Sequence, residues 1–284
     1  MANLPTKFSQ FLFEQSTEKE REWLEEKVKS NVLDLMTAFV AAPRFLSKKN
    51  ISYDSKFSGS LVPEHPGFEV DGWSFVRLAR VWLLLHIPSG PKEQFLKNIE
   101  TLFDTAELNE LVALYSALPL LAYPLEWLPR ATDAVRSNMG FVFDAIALRN
   151  PYAELYFPES AWNQLVLKTI FNGKPIHLIL GIDRRRNKEL SIAVSDFMDE
   201  RSAAGRRVPI QVWRLMGGAS DEVLHSKLIP LFSSESKLEK EAAALLAFES
   251  KDPKIRSLLA NEPDLELSIQ NGDLDWSKLE SIPE

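Results

Sequence analysis

The feature that most constrains this chain is its punctuation. Apolar residues recur at helical spacing in run after run, each run closed by proline, glycine or a fresh capping residue, with hardly a period-2 alternation anywhere. A sheet needs strands that alternate and partners for them to pair with. Neither is written here, so the pattern predicts an all-α fold. Short connections between amphipathic helices favour antiparallel neighbours, which points to a layered antiparallel helical array of the HEAT-like, α-α superhelix kind. No exact repeat period recurs. One continuous body over residues 1–262 is expected, with residues 263–284 as a frayed tail.

In chain order, Thr17 and Glu20 have the form of a capping box, opening a helix through Trp23, Leu24, Val28, Leu35 and Phe39, after which Pro43 closes the helix or opens another turn. Residues 48–70, with Gly59, Pro63, Pro66 and Gly67, read as a loop. Asp71 is expected to cap a deeply placed helix through Trp82, with Arg77 and Arg80 snorkelling to the surface. Thr105 is expected to cap a later helix, and residues 132–148 to form one helix weakened in its middle by Gly140. Pro175–Leu180 suits a buried helical turn better than a strand.

Asp183 is expected to begin the longest polar-rich helix, ending near Ala204 at Gly205. On that helix Leu190, Ala193, Val194 and Phe197 form the apolar stripe, and at ~100° per residue Asp183, Arg186 and Arg201 project into it. Two readings stay open. Arg186 and Arg201 belong either to a buried ion-pair network that fixes helix register or to an anion pocket of guanidinium forks. Residues 180–214 hold eight Lys/Arg against five Asp/Glu, a local surplus of three positive charges in a chain of net charge −7. The acidic balance argues against a nucleic-acid binder. Asp196 and Glu200, one turn apart, either pair with nearby arginines or share a divalent metal, Mg²⁺ being the alternative to no cofactor.

Other chemistries lack their residues. There is no cysteine, hence no disulfide, thiol catalysis or cysteine metal site. The four histidines show no His-x-x-x-His spacing. Phosphate-loop, dinucleotide-turn and nucleophile-elbow motifs do not occur. No apolar run is long enough to cross a bilayer and no signal peptide is evident at the N-terminus, so a cytoplasmic location is expected.

The run from Gly181 to Leu190, followed by Asp199 to Arg206 and then Trp213, resembles the EboA family, as do the upstream Asn163, Lys168 and Phe171–Pro175. The likeness spans roughly residues 110–262, including an alanine-rich helix and the short helix after it. In the family pattern a histidine and an aromatic residue flank the Glu-Arg pair. Here those places are Asp199 and Ser202, so no histidine role carries over. The resemblance implies a bacterial secondary-metabolite gene cluster that includes a membrane prenyltransferase, and an accessory protein with no agreed catalytic activity. From it follow the expected partners: other proteins of that cluster or an anionic small molecule, with peripheral contact to the prenyltransferase and no nucleic acid. The candidate ligand-binding residues are Asn163, Lys168, Asp183, Arg184, Arg186, Asn187, Glu200, Arg201 and Arg206, with no catalytic residue assigned. The alternative is an enzyme acting on a phosphorylated or prenylated substrate, its anion held by arginines and Mg²⁺ by Asp196 and Glu200.

Overall fold

The computed structural model describes residues 6–51 and 67–280. Gly59, Pro63, Pro66 and His65, central to the expected loop, lie outside the described residues. Among the described residues there are 17 α-helices and no strand, so the protein is all-α. The longest helix has 16 residues, and none is long and apolar enough to cross a membrane. The chain divides into two compact units, residues 1–161 and 162–284.

The first unit contains α1 (Thr6–Gln15), α2 (Glu18–Val28), α3 (Val32–Phe45), α4 (Phe75–Leu85), α5 (Lys92–Thr105), α6 (Leu108–Ala117), α7 (Leu128–Arg136), α8 (Gly140–Ala147) and α9 (Tyr152–Tyr156). Its hub is α4. Nine of its eleven residues are buried, and it packs against α1, α2, α3 and α6. A helix apolar all round has no face for water and goes to the centre. The cap of α4 is Ser74 rather than Asp71, its hydroxyl accepting from the Arg77 N–H at 3.2 Å. Thr17 and Glu20 do form the capping box at the start of α2. The helix beyond does not run on to Phe39, because Asn31 caps a new one, accepting from the Asp34 N–H at 3.0 Å. Glu107, rather than Thr105, caps α6. Residues 128–147 form two helices, and Gly140 opens the second instead of weakening one long helix.

The arginines of α4 do not snorkel as expected. Arg80 is 1% exposed; its Nη2 donates to Glu110 Oε1 at 2.9 Å and its Nε to the Phe39 carbonyl at 2.9 Å. That carbonyl is the one Pro43 leaves without a donor, since proline four residues on has no N–H to give it. Arg80 thus supplies the hydrogen bond that Pro43 removes from α3. Asn150 performs a similar task after Arg149, a left-handed residue at φ 54. Its buried amide donates to the carbonyls of Ala145 and Tyr115 and accepts from the Tyr152 N–H.

The second unit takes the rest of α10 (Glu159–Phe171), then α11 (Lys188–Ala203), α12 (Ile210–Trp213), α13 (Asp221–Phe232), α14 (Lys237–Glu249), α15 (Pro253–Ser257), α16 (Pro263–Gln270) and α17 (Trp276–Glu280). Here the hub is α14, whose run Ala242–Ala247 is wholly buried. Four alanines in that run let α12, α13, α16 and α17 come close. The expected helical turn after Pro175 is a 3-10 turn over Ile176–Leu178. Residues 263–280, read from the sequence as frayed, instead form α16 and α17, the latter burying Trp276 and Leu279.

Candidate functional site

Asp183 does not begin α11. Residues 180–185 form turns, and the helix starts at Lys188 with Asn187 as its cap, accepting from the Leu190 N–H at 2.9 Å. An asparagine side chain competes well for a free helical N–H, which is why the helix starts one step after it. Asn187 and Asn163 exchange amide hydrogen bonds, at 2.8 Å and 3.1 Å, so these two expected site residues do meet. The buried face of α11 is Leu190, Ser191, Val194 and Met198. Phe197 lies beside that face rather than in it.

With the helix starting later, Arg186 and Arg201 part company. Arg186 joins a charge network. Its Nη2 meets Asp183 Oδ1 at 2.5 Å and its Nη1 meets Glu249 Oε2 at 2.5 Å. Asp183 also takes Arg214 in a two-pronged pair, Nε to Oδ1 at 2.8 Å and Nη2 to Oδ2 at 2.7 Å. Arg214 Nη1 then reaches Glu280 at 3.1 Å, and Glu249 accepts from the Trp276 indole N–H at 2.7 Å. Both arginine side chains are 11% exposed. Burial pushes the Asp183 carboxyl upward, but Arg214 and Arg186 pull it below its ordinary value. Burial wins at Glu280, whose carboxyl rises to about 7 against the pull of Arg214.

Gly217 and Gly218 make room for this network. A Cβ on Gly217 would stand 2.5 Å from Arg186 Nη1, and one on Gly218 would stand 2.8 Å from both the Asn187 carbonyl and Ser191 Oγ. This glycine pair is a point of close approach.

Arg201 lies at the other end of α11. Gly205, at φ +64, turns the chain back. The Gly205 N–H donates to Ser202 O at 3.0 Å and the Arg206 N–H to Arg201 O at 2.8 Å. These are the two bonds of a Schellman ending, the second joining Arg201 and Arg206, five apart in sequence. The result is an open cleft of about 240 Å³ lined by Ile170, Phe171, Phe197, Glu200, Arg201, Ala204 and Arg206. Phe171 and Phe197 meet edge to face at 5.4 Å, and the Arg201 guanidinium lies 5.5 Å from the Phe197 ring centre. Among the described residues no carboxylate pairs with Arg201 or Arg206. Glu200 lines the same wall, giving the cleft a net charge of +1.

Of the other expected residues, Arg184 is exposed beside the network and Lys168 is half-buried on α10. Asp196 is exposed and not among the residues lining the cleft, so Asp196 and Glu200 do not face one cavity together. Among the described residues no group of three or more His, Asp or Glu side chains could hold a metal ion. Arg214, Glu249, Trp276, Glu280 and Phe171 are the participants that sequence reasoning missed. The partners of the first four lie 27 to 66 residues away along the chain, beyond the reach of any local pattern.

Among the described residues, fold and site together present an all-helical protein with a partly buried ion-pair network at one end of α11 and an open, basic, aromatic-walled cleft at the other. The chain belongs to the EboA family: the family model described as Metabolite traffic protein EboA matches residues 5–217. That description fits an accessory role. The match takes in the N-terminal helices, which the sequence likeness over 110–262 left out, and stops before α14 and α15. No curated protein and no solved structure matches the chain.

Proposed function

We propose that this protein is a non-enzymatic accessory component of metabolite traffic that holds an anionic metabolite in the cleft between the end of α10 and the end of α11. The observation that carries this reading is the coincidence of two guanidiniums that lack a carboxylate partner among the described residues with an edge-to-face phenylalanine pair in one opening. An arginine near a helix C-terminus offsets its partial negative charge. Arg201 spends one donor beyond the helix, its Nε donating to the Arg207 carbonyl at 2.7 Å. Its remaining donors, and those of Arg206, are what a phosphate or carboxylate would engage.

At about 240 Å³ the cleft is smaller than the ~300–1,000 Å³ that encloses a whole drug-sized ligand. It suits the charged head and first few carbons of a longer molecule, with Phe171, 65% exposed, as the apolar wall. A phosphorylated or prenylated metabolite of a secondary-metabolite gene cluster meets that description, and a partner protein of the cluster would receive or deliver it. Such a role is compatible with peripheral contact with a membrane prenyltransferase. The divalent metal of the enzymatic alternative finds little support, since Glu200 has no second carboxylate beside it in the cleft.

Isothermal titration with geranyl diphosphate, geraniol and inorganic diphosphate tests this. Geranyl diphosphate is expected to bind more tightly than either half. Arg201→Ala with Arg206→Ala should weaken it by at least tenfold, since a charge-assisted hydrogen bond contributes about 1.5–3 kcal/mol. Phe171→Ala should weaken it less. No binding by any of the three probes, or binding indifferent to the two arginines, would remove the cleft from the argument.

A further inference from the structure

The network at the other end of α11 has an unbalanced charge. Three carboxylates, Asp183, Glu249 and Glu280, face two guanidiniums, Arg186 and Arg214. Asp183 already occupies Arg214 with two hydrogen bonds, so Glu280 meets the remaining nitrogen only, at 3.1 and 3.3 Å. Yet Glu280 is the most enclosed of the three carboxylates, its side chain 1% exposed against 46% for Asp183 and 36% for Glu249. Enclosing a carboxylate that shares its cation with a second acid is unfavourable, and the simplest relief is a proton on the enclosed acid. His177, from the 3-10 turn over Ile176–Leu178, adds a neighbour, its Nδ1 3.6 Å from Glu280 Oε2.

Glu280 is also the last described residue of α17, a five-residue helix seated on α12, α14 and the 3-10 turn over Ile176–Leu178, with Trp276 tied to Glu249, Glu280 tied to Arg214, and Trp276 and Leu279 buried. Both Glu249 and α17 lie beyond residues 5–217 matched to the family, whereas Asp183, Arg186 and Arg214 lie within them. The C-terminal segment therefore covers charged residues that belong to the family-matched part of the chain.

We propose that α17 is a proton-dependent latch over Arg214 and Arg186: it docks with Glu280 protonated and loosens as Glu280 ionises. The direction follows from the geometry. Docking carries Glu280 from water into the closed network, where its carboxyl rises from 4.5 to about 7. A group raised on docking favours the docked state at low pH. That advantage is complete below the free value, declines as pH rises between the two values, and changes no further above the docked one. Among the described residues, the groups facing Glu280 are Arg214, Asp183 and His177, with Arg186 and Glu249 one contact further on. Release would uncover Arg214 and the apolar surface beneath Trp276 and Leu279, so the latch controls access to a basic, apolar face of the second unit. It is independent of the cleft at Arg201.

Hydrogen exchange on the full chain, corrected for intrinsic rates, tests the latch through the amides of residues 276–280. Protection there is expected to fall about 20-fold from pH 5.5 to 7.5 and by less than twofold from 7.5 to 8.5, as two carboxyl values near 4.5 and 7 require. Glu280→Gln, neutral at every pH, should flatten the profile at high protection. Glu249→Gln keeps an acceptor for Trp276 while removing one negative charge, and should shrink the change to a few-fold. Protection of 276–280 that ignores pH in the unaltered chain overturns the proposal. So does a full slope in Glu280→Gln, which would put the proton on His177. Should Glu280→Gln fail to fold, an undiminished slope in Glu249→Gln overturns it equally.

Discussion

Arg80 offers the sharpest test of how the first unit is held together. In α3 the Phe39 carbonyl should accept from the N–H four residues later, but that residue is Pro43. Arg80 takes the vacancy from α4 at 2.9 Å and ties the same guanidinium to Glu110 of α6. Replacing Arg80 by methionine keeps most of the buried stem and removes the charge. Glu110, 5% exposed, keeps the Glu107 N–H at 3.1 Å and loses its cation. Breaking a buried pair by removing one partner costs about 3–5 kcal/mol. The retained hydrogen bond places this case near the lower end, at about 3 kcal/mol.

Pro43→Ala is the diagnostic partner. In the unaltered chain the new N–H finds a carbonyl that Arg80 already satisfies. In Arg80→Met it finds an empty one, and restores a hydrogen bond with a net value of about 1 kcal/mol. The two changes should therefore couple by about 1 kcal/mol, well above the ~0.3–0.5 kcal/mol scatter of independent sites. Urea unfolding gives the four stabilities. Following it through the amides of α3, α4 and α6 keeps the second unit out of the measurement. If Pro43→Ala changes stability equally in both backgrounds, Arg80 is not standing in for the missing donor, and its position needs another cause.

Other expectations concern the second unit. Gly218→Ala should destabilise by about 1–3 kcal/mol in urea unfolding, because its Cβ meets backbone, while Gly217→Ala should be milder because only the flexible end of Arg186 must move. Asn187→Ala loses the cap of α11 and should destabilise by about 1 kcal/mol, more if the freed Asn163 amide finds no replacement. Asp183 is held below its ordinary value when folded, so its contribution is present above pH 3.8 and is lost as pH falls through the lower folded value. The gap in thermal midpoint between the unaltered chain and Asp183→Asn should accordingly close on acidification below pH 3.8, and a gap that widens there would contradict the pairing.

The all-α class was legible because helical periodicity and proline are local signals, each written within a few residues of where it acts. Caps were legible only where the competing donor lay close at hand. Thr17 and Glu20 satisfy one another across three residues, and their box forms as read. Asp71 and Thr105 looked equally suitable, but Ser74 and Glu107, closer to the first apolar turn, took the ends instead. Asn187 moved the start of α11 in the same way. That shift of a few residues decided the site, since a side chain before the cap no longer follows the helical wheel.

The partners of buried charge were not legible at all, and the reason is physical. Periodicity tells which face of a helix is buried, but a guanidinium is about six ångströms from its own backbone and is neutralised by whatever the fold brings to its tip. Arg80 answers to a proline on another helix, Arg186 to Glu249, Arg214 to Glu280. Of the two readings left open for Arg186 and Arg201, the ion pairs of Arg186 match the network, and the anion pocket is the reading proposed for Arg201. Arg186 sits in a network whose acids outnumber its bases: its Nη1 and Nη2 are paired with Glu249 and Asp183, and its remaining donor, Nε, is buried without a partner. Arg201 and Arg206 sit where bases outnumber acids by one and where the wall is phenylalanine. The same residue type, at the two ends of one helix, is thus paired at the end where acids are in surplus and left without a carboxylate partner among the described residues at the end where bases are. Charge balance in each neighbourhood, rather than the presence of arginine, is what separates the two.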